Sequence, residues 1–373
     1  MAGLYIHIPF CASRCIYCGF YSTTLTDLRD DYIDAACREM VMRTDFLPPE
    51  DRTIRTVYLG GGTPSQLNEA QLEKLFTVAD NVFDLSNAEE ITMECNPDDI
   101  TDEFSASLRN LPVNRISMGA QTFNDQRLRF LHRRHCAEDV LHAVRRLRNA
   151  GINNISIDLM FGFPDETLSE WHSDVLHAIQ LDVEHISAYS LMYDEGTTLT
   201  QMLERGEITE TDEETSRAMY YDMIDMLTSA GYEHYEISNF AKPLHRSKHN
   251  SSYWQAVPYI GIGAAAHSYN LSCRQWNINN VRAYINDINS GKIPAERELL
   301  TDDMRFDDLI TTALRTKEGI DLAALSDHYA EYLTRQAAKF VESGLLKFEN
   351  NHLLLTREAL FVSDMIMSDL MKI

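Results

Sequence analysis

Six short apolar runs, each leading into a helical pattern, recur through residues 1–240, at 4–8, 56–59, 90–94, 115–118, 155–160 and 185–191. This alternation constrains the fold more than any other feature. Strands separated by helix-length connections pair in parallel, because only antiparallel neighbours can be joined by a short hairpin. The chain is therefore expected to be α/β, with a partial (β/α)6 barrel. Helix ends carry their own signals. Asn68 with Gln71 resembles a capping arrangement, Thr211 with Glu214 has the Thr-x-x-Glu spacing of a capping box, and Gly151 and Gly231 lie where C-terminal caps are expected.

The pattern changes after residue 240. Residues 241–300 are rich in Asn, Tyr, Trp, Ser and Gly, and predict loops and short strands packed on the open side of the barrel. Residues 301–373 predict helices at 302–314, 321–329 and 332–343, a hairpin turning at Asn350-Asn351, and a last helix, which together make a winged-helix-like α+β unit. Acidic Asp302, Asp303, Asp307 and Asp308 stand where a DNA-binding face would want cations, so an interaction or lid domain is expected.

Charge supports that exclusion. With 33 Lys and Arg against 57 Asp and Glu, the net charge is −24, whereas phosphate binding needs clustered cations. Nucleic acid is not an expected partner. No apolar run approaches the ~18–20 residues of a membrane span, and the start of the chain lacks the pattern of a secretory signal, so a cytoplasmic protein is expected.

Reactive groups in a parallel barrel gather at the C-terminal ends of strands. Gly60-Gly61-Gly62-Thr63-Pro64 follows the second strand, Glu94 ends the third, Gly119 and Gln121 follow the fourth, Asp158 lies in the fifth and Tyr189 ends the sixth. The glycines suit a tight strand–helix turn or backbone contact with a small polar ligand. Glu94 and Asp158 sit among Ile, Met and Leu, where a carboxylate is seldom left unpaired. Arg133, with Arg134 between two histidines, is either an exposed helix end or a carboxylate-binding group.

The loop after the first strand carries Cys11-x-x-x-Cys15-x-x-Cys18. Three thiolates at this spacing can hold three irons of a four-iron cluster and leave the fourth iron open. Zinc is the alternative, although a closed zinc site wants four ligands and no second cysteine pair exists here. Cys37, Cys95, Cys136 and Cys273 are scattered singly, a poor disulfide framework that suits a reducing compartment.

Together, the cysteine loop, Gly-Gly-Thr-Pro and the later rim residues resemble the radical S-adenosylmethionine (SAM) superfamily. More narrowly, Tyr5-Ile-His-Ile-Pro-Phe, Met93-Glu-Cys-Asn-Pro97, Ser117-Met-Gly-Ala-Gln-Thr-Phe123, Asp158-Leu-Met-Phe-Gly-Phe-Pro164 and Tyr259-Ile-Gly-Ile-Gly263 resemble the oxygen-independent coproporphyrinogen III dehydrogenase group. The resemblance covers nearly the whole chain. The dehydrogenases carry a fourth cysteine where this chain has Phe20, and an extension before the Tyr-x-His segment where it has four residues. Both departures, with His249-Asn250-Ser-Ser-Tyr253-Trp254, resemble the HemW-type heme chaperone branch.

The resemblance implies a 4Fe-4S cluster on Cys11, Cys15 and Cys18, and SAM contacts from Tyr5, Gly61, Gly62, Thr63, Glu94, Gln121, Arg133 and Asp158. It further implies heme carried on His249, with His267 a second candidate, and delivery to heme-accepting proteins, membrane-bound ones included. An electron donor is needed if radical chemistry occurs. The alternative is a dehydrogenase that oxidatively decarboxylates coproporphyrinogen III. The family analogy allows a homodimer, for which no heptad seam argues.

Overall fold

The computed structural model describes residues 1–372, with Glu50 described by its backbone alone. Strands β1 (Ala2–Ile8), β2 (Ile54–Gly61), β3 (Glu90–Cys95), β4 (Arg115–Gln121), β5 (Ile155–Phe161) and β6 (His185–Ser190) lie side by side in chain order, every neighbouring pair parallel. Side chains alternate between the two faces of a strand, and here the alternation separates two chemistries. Leu4, Ile6, Val57, Leu59, Ile91, Met93, Ile116, Met118, Ile157, Leu159 and Ile186 are buried in the core. The opposite parity gives Tyr5, Tyr58, Glu94, Ser117, Asp158 and Ser187, a polar inner face. Apolar residues thus bind the strands to their helices and leave the inside of the barrel for a polar ligand.

The sheet does not end at its six central strands. Beyond β6 run β8 (Asn239–Ala241) and then β7 (Glu233–Glu236), both antiparallel. At the other edge, β9 (Tyr259–Ile262) pairs parallel with β1, and β10 (His267–Tyr269), β11 (Cys273–Asn277) and β12 (Ala295–Leu299) follow antiparallel, for twelve strands in one sheet. The region expected to pack over the open side instead lengthens the sheet, because β1 presents an unpaired edge that β9 satisfies.

The helix ends follow some local signals and displace others. Asn68 and Gln71 form the reciprocal capping box of the helix Glu69–Phe83, and Gly151 closes the helix Ala137–Ala150 at φ 96°. The expected box at Thr211 is displaced by one residue. Asp212 caps the helix Glu213–Ser229 by accepting from the Thr215 N–H, while the Thr211 hydroxyl donates to the Phe163 carbonyl at 2.6 Å.

In the C-terminal region the two helices expected at 321–329 and 332–343 are one helix, Asp327–Glu342, preceded by the short strand β13 (Ile320–Asp321). β14 (Leu346–Glu349) and β15 (His352–Leu355) form the expected hairpin, its turn residues Asn350 and Asn351 both at positive φ. These elements, with the helices Asp302–Ala313 and Ser363–Leu370, close a second core around Phe306, Ile310, Leu333, Phe340 and Leu353. No helix among the described residues is long and apolar enough to cross a membrane.

Candidate functional site

A cavity of about 390 Å³ opens at the C-terminal ends of the central strands. Cys11, Cys15 and Cys18 line it from the β1 loop, and Gly61, Gly62, Thr63, Glu94, Gln121, Arg133 and Asp158 line it from the other strands. Ten of the residues singled out above therefore share one space.

The cysteine loop is pinned by its backbone. Cys11 N–H donates to Thr23 O at 2.9 Å, Ile16 N–H to Leu131 O at 3.3 Å, and Leu199 N–H to Ile16 O at 2.9 Å. All three thiols are unpaired and partly exposed. Burial pushes the Cys11 and Cys18 thiols up, so without a cation the loop favours protonated sulfur. Two groups partly oppose this: the Thr63 hydroxyl donates to Cys11 Sγ at 3.4 Å, and Arg133 Nη1 lies 3.7 Å from Cys15 Sγ. Among the described residues no three His, Cys, Asp or Glu side chains converge as a single-ion site requires.

The glycine turn is shaped mainly by its strand neighbours. A Cβ on Gly62 would stand 2.6 Å from the Pro9 carbonyl carbon, and one on Gly61, at φ 108°, would strike the His7 ring. Gly62 N–H donates to Ile8 O at 2.8 Å and Gly61 N–H to Glu94 Oε2 at 3.0 Å, so both donors are engaged within the protein. What the glycines supply to the cavity is closeness, with no side chain between backbone and ligand.

Glu94 is held from two sides, by Gly61 and by the Tyr58 hydroxyl, which donates to Oε1 at 2.7 Å. Burial pushes its carboxyl up to about 7, against the hydrogen bond from Tyr58 and reinforced by the charge of Asp158. Burial also raises Asp158 to about 6, and the Ser117 hydroxyl lies 3.5 Å from its Oδ1. Arg133 Nη2 donates to Gly119 O at 2.6 Å and Asn96 Oδ1 at 2.8 Å, which fixes the guanidinium between the carboxylates and the cysteine loop. The neighbouring Arg134, also on the cavity's lining, pairs with Asp98 and Asp99. Gln121 follows a register shift in β4 and sits at φ 67°, and its side chain lines the cavity on the same face of the strand as Ser117 and Gly119.

Two expected residues stand apart. Tyr5 faces a second cavity, and its hydroxyl bonds His7 Nδ1 at 3.0 Å. His249, expected as a heme ligand, is 1% exposed inside the floor of the barrel. Its Nδ1 bonds the Thr56 hydroxyl and its Nε2 the Tyr253 hydroxyl, each at 2.8 Å, and its ring stacks on Tyr58. Neither nitrogen is free to meet an iron in this arrangement.

Tyr58, Asn96, Ser117 and Ser187 line the first cavity and were not anticipated. Counting by twos along β2, β4 and β6 would have placed Tyr58, Ser117 and Ser187 on the face of Glu94 and Asp158. Asn96 lies in a loop and carries no such signal.

The radical SAM superfamily model matches residues 5–177, and the HemN C-terminal domain model matches residues 300–362. Heme chaperone HemW of Lactococcus lactis is 38% identical over 317 residues, covering 85% of this chain and 82% of that protein. Its namesakes in Bacillus subtilis and Escherichia coli are 35% and 34% identical, covering 89% and 71% of this chain and 88% and 69% of theirs. The solved structure of E. coli coproporphyrinogen III oxidase (HemN), described as a radical SAM enzyme, superposes with a TM-score of 0.84 at 23% identity, covering 100% of this chain and 90% of that one, and so shares the fold. On sequence and architecture together, the chain belongs to the HemW family of the radical SAM superfamily.

Proposed function

We propose that the chain is a heme chaperone that binds a 4Fe-4S cluster and SAM beside one another, binds heme, and hands the heme to acceptor proteins. The observation that carries this reading is the donor set of the first cavity: three thiols on one loop, with the fourth lining cysteine, Cys95, buried on β3, and a ring of carboxylates, amides and arginines around them. Cys11, Cys15 and Cys18 would ligate the cluster, with Phe20 offering no fourth ligand. Gly61, Gly62, Thr63, Glu94, Gln121, Arg133 and Asp158 would hold SAM, and Tyr5 would act at one remove through His7. Glu94 and Asp158 can take amine or ribose protons, and Arg133 can meet a carboxylate. When bound, the cluster supplies an open iron for SAM and a route for single electrons.

The chain's own contribution is position and shielding. Tyr58 and Gly61 orient Glu94 before a ligand arrives, and Gly119 and Asn96 do the same for Arg133. Acceptors at the membrane fit this role, as does an electron donor where SAM is cleaved. The test is one anaerobically reconstituted sample measured three ways. It should hold about four irons and four sulfides per chain, shift the heme absorption band on titration, and yield no protoporphyrinogen IX from coproporphyrinogen III over many turnovers. Absence of a heme shift would overturn the chaperone reading. Sustained turnover would replace it with the dehydrogenase.

A further inference from the structure

The barrel's inner face continues onto the sheet extension, and a second cavity, of about 870 Å³, lies there. Its size falls within the ~300–1,000 Å³ of small-molecule sites. Tyr5 and His7 of β1, Phe20 of the cysteine loop, Tyr259 of β9, His267 of β10 and Trp276 of β11 form its walls. The pleat explains why these side chains meet. Along β10, Ser268 is buried and bonded to Arg43 at 2.9 Å, which sends His267 and Tyr269 to the opposite, open face. His267 is the cross-strand partner of Trp276, and their rings stack with centroids 6.2 Å apart.

We infer that this aromatic cleft is the heme seat and that His267 is an axial ligand of the heme iron; the inference rests on the chaperone reading above. Three histidines come into question, and hydrogen bonding separates them. His249 uses both ring nitrogens, as described. His7 bonds Tyr5 through Nδ1 and the Tyr21 carbonyl through Nε2, at 3.0 and 3.1 Å. His267 is exposed to the cleft, and neither of its ring nitrogens has a hydrogen-bond partner among the described residues. Partial burial lowers its pKa, with no opposing hydrogen bond, and so favours the neutral imidazole that a metal binds.

The surroundings suit a flat macrocycle. Tyr259 packs edge-on against Tyr253 at 4.7 Å and Trp276 lies beside His267, so the walls are aromatic surfaces with few obligatory polar partners. At the rim, Lys292 is 71% exposed, with Asp287 3.9 Å away and Glu296 also on the lining, a cation available to a propionate at the mouth. Gly19 and Phe20 line both cavities, so this seat lies one loop segment from the cysteines.

The experiment is a hemin titration of the anaerobically reconstituted chain, followed by absorption and resonance Raman spectroscopy, with His267→Ala, His267→Cys and His249→Gln alongside the parent. Cluster absorbance and circular dichroism verify that each variant is folded. His267→Ala should lower hemin affinity at least tenfold and lose the imidazole-ligated spectrum, His267→Cys should recover affinity with a thiolate-ligated spectrum, and His249→Gln should keep the parental spectrum. Parental affinity and spectrum in His267→Ala, or their loss in a folded His249→Gln alone, would overturn the inference and leave the chaperone reading standing. Failure of the parent chain to bind hemin would overturn the chaperone reading itself.

Discussion

At the scale of single residues, Glu94 shows how a binding site costs stability before its ligand arrives. Its carboxyl rises from an ordinary value near 4.5 to about 7 because burial penalises the charge. A raised folded-state pKa contributes stability that is fully present below the unfolded value and lost as pH rises through the folded one. Ligand-free Glu94→Gln should therefore be more stable than the parent at pH 8, by roughly 1–3 kcal/mol, and equal to it near pH 4, as read from denaturant midpoints. Glutamine fits the geometry, since its oxygen can accept from Gly61 and its amide can face a Tyr58 hydroxyl turned to accept. The same variant should bind SAM at least about tenfold more weakly, through loss of a charge-assisted contact. Parental SAM affinity should also fall as pH drops from 8 to 6, when Glu94 and then Asp158 take up protons; a flat isothermal titration series would remove both from the SAM contact. Glu94 was legible because a carboxylate inside an apolar strand needs a reason. Tyr58, two residues before Gly60, reads equally well as an ordinary strand aromatic, and only its partner on β3 gives it a role.

Elements add constraints that no residue pattern displays. The helix Lys248–Trp254 closes the floor of the barrel, with Glu90 of β3 accepting from the Lys248 and His249 N–H groups at 2.8 and 2.9 Å. His249 then fills the space beneath Tyr58. Because the ring is buried and bonded on both nitrogens, His249→Ala should cost about 2–4 kcal/mol, through a cavity and two orphaned hydroxyls. Urea unfolding measures this, and a change below 0.5 kcal/mol would deny the helix its role as a floor. The sequence motif drew attention to the right segment, but its partners Thr56 and Glu90 lie more than 150 positions away, so local reading could not tell a ligand from a plug. The cap at Asp212 marks a subtler limit: Thr-x-x-Glu and Asp-x-x-Thr are offset by one residue, and the Phe163 carbonyl decides between them by taking the Thr211 hydroxyl. Asp212→Ala should accordingly cost about 1 kcal/mol in thermal unfolding. The same cost on replacing Glu214 instead would restore the frame expected from the sequence.

For the whole molecule, the six βα units were legible because each strand and its helix carry their own period. The attachment of β9–β12 was not, because an edge strand is chosen by distant pairing: Gly3 to Ile6 of β1 meet Tyr259 to Ile262 across some 250 residues. The result is a sheet with one apolar core and a separate C-terminal core, and Ile237 packs against both. The two are joined by many contacts: Arg315 to Glu236 at 3.4 Å, Arg246 to Glu318 at 2.8 Å, Lys317 to Glu233 at 2.9 Å, Arg274 to Asp308 at 2.8 Å and Arg357 to Asp225 at 2.7 Å, with Leu360 and Phe361 packed on the main core. Every residue lining the cluster cavity lies at or before Asn250. A ligand stabilises only the cooperative unit that binds it. Calorimetry of the full chain should therefore resolve one transition, its midpoint raised by SAM and the reconstituted cluster, because these contacts couple the second core to the barrel. Two transitions, with only one midpoint raised, would show that the ion pairs at Arg246, Arg274, Arg315, Lys317 and Arg357 leave the cores independent, and the C-terminal domain would then not respond to whatever fills the barrel.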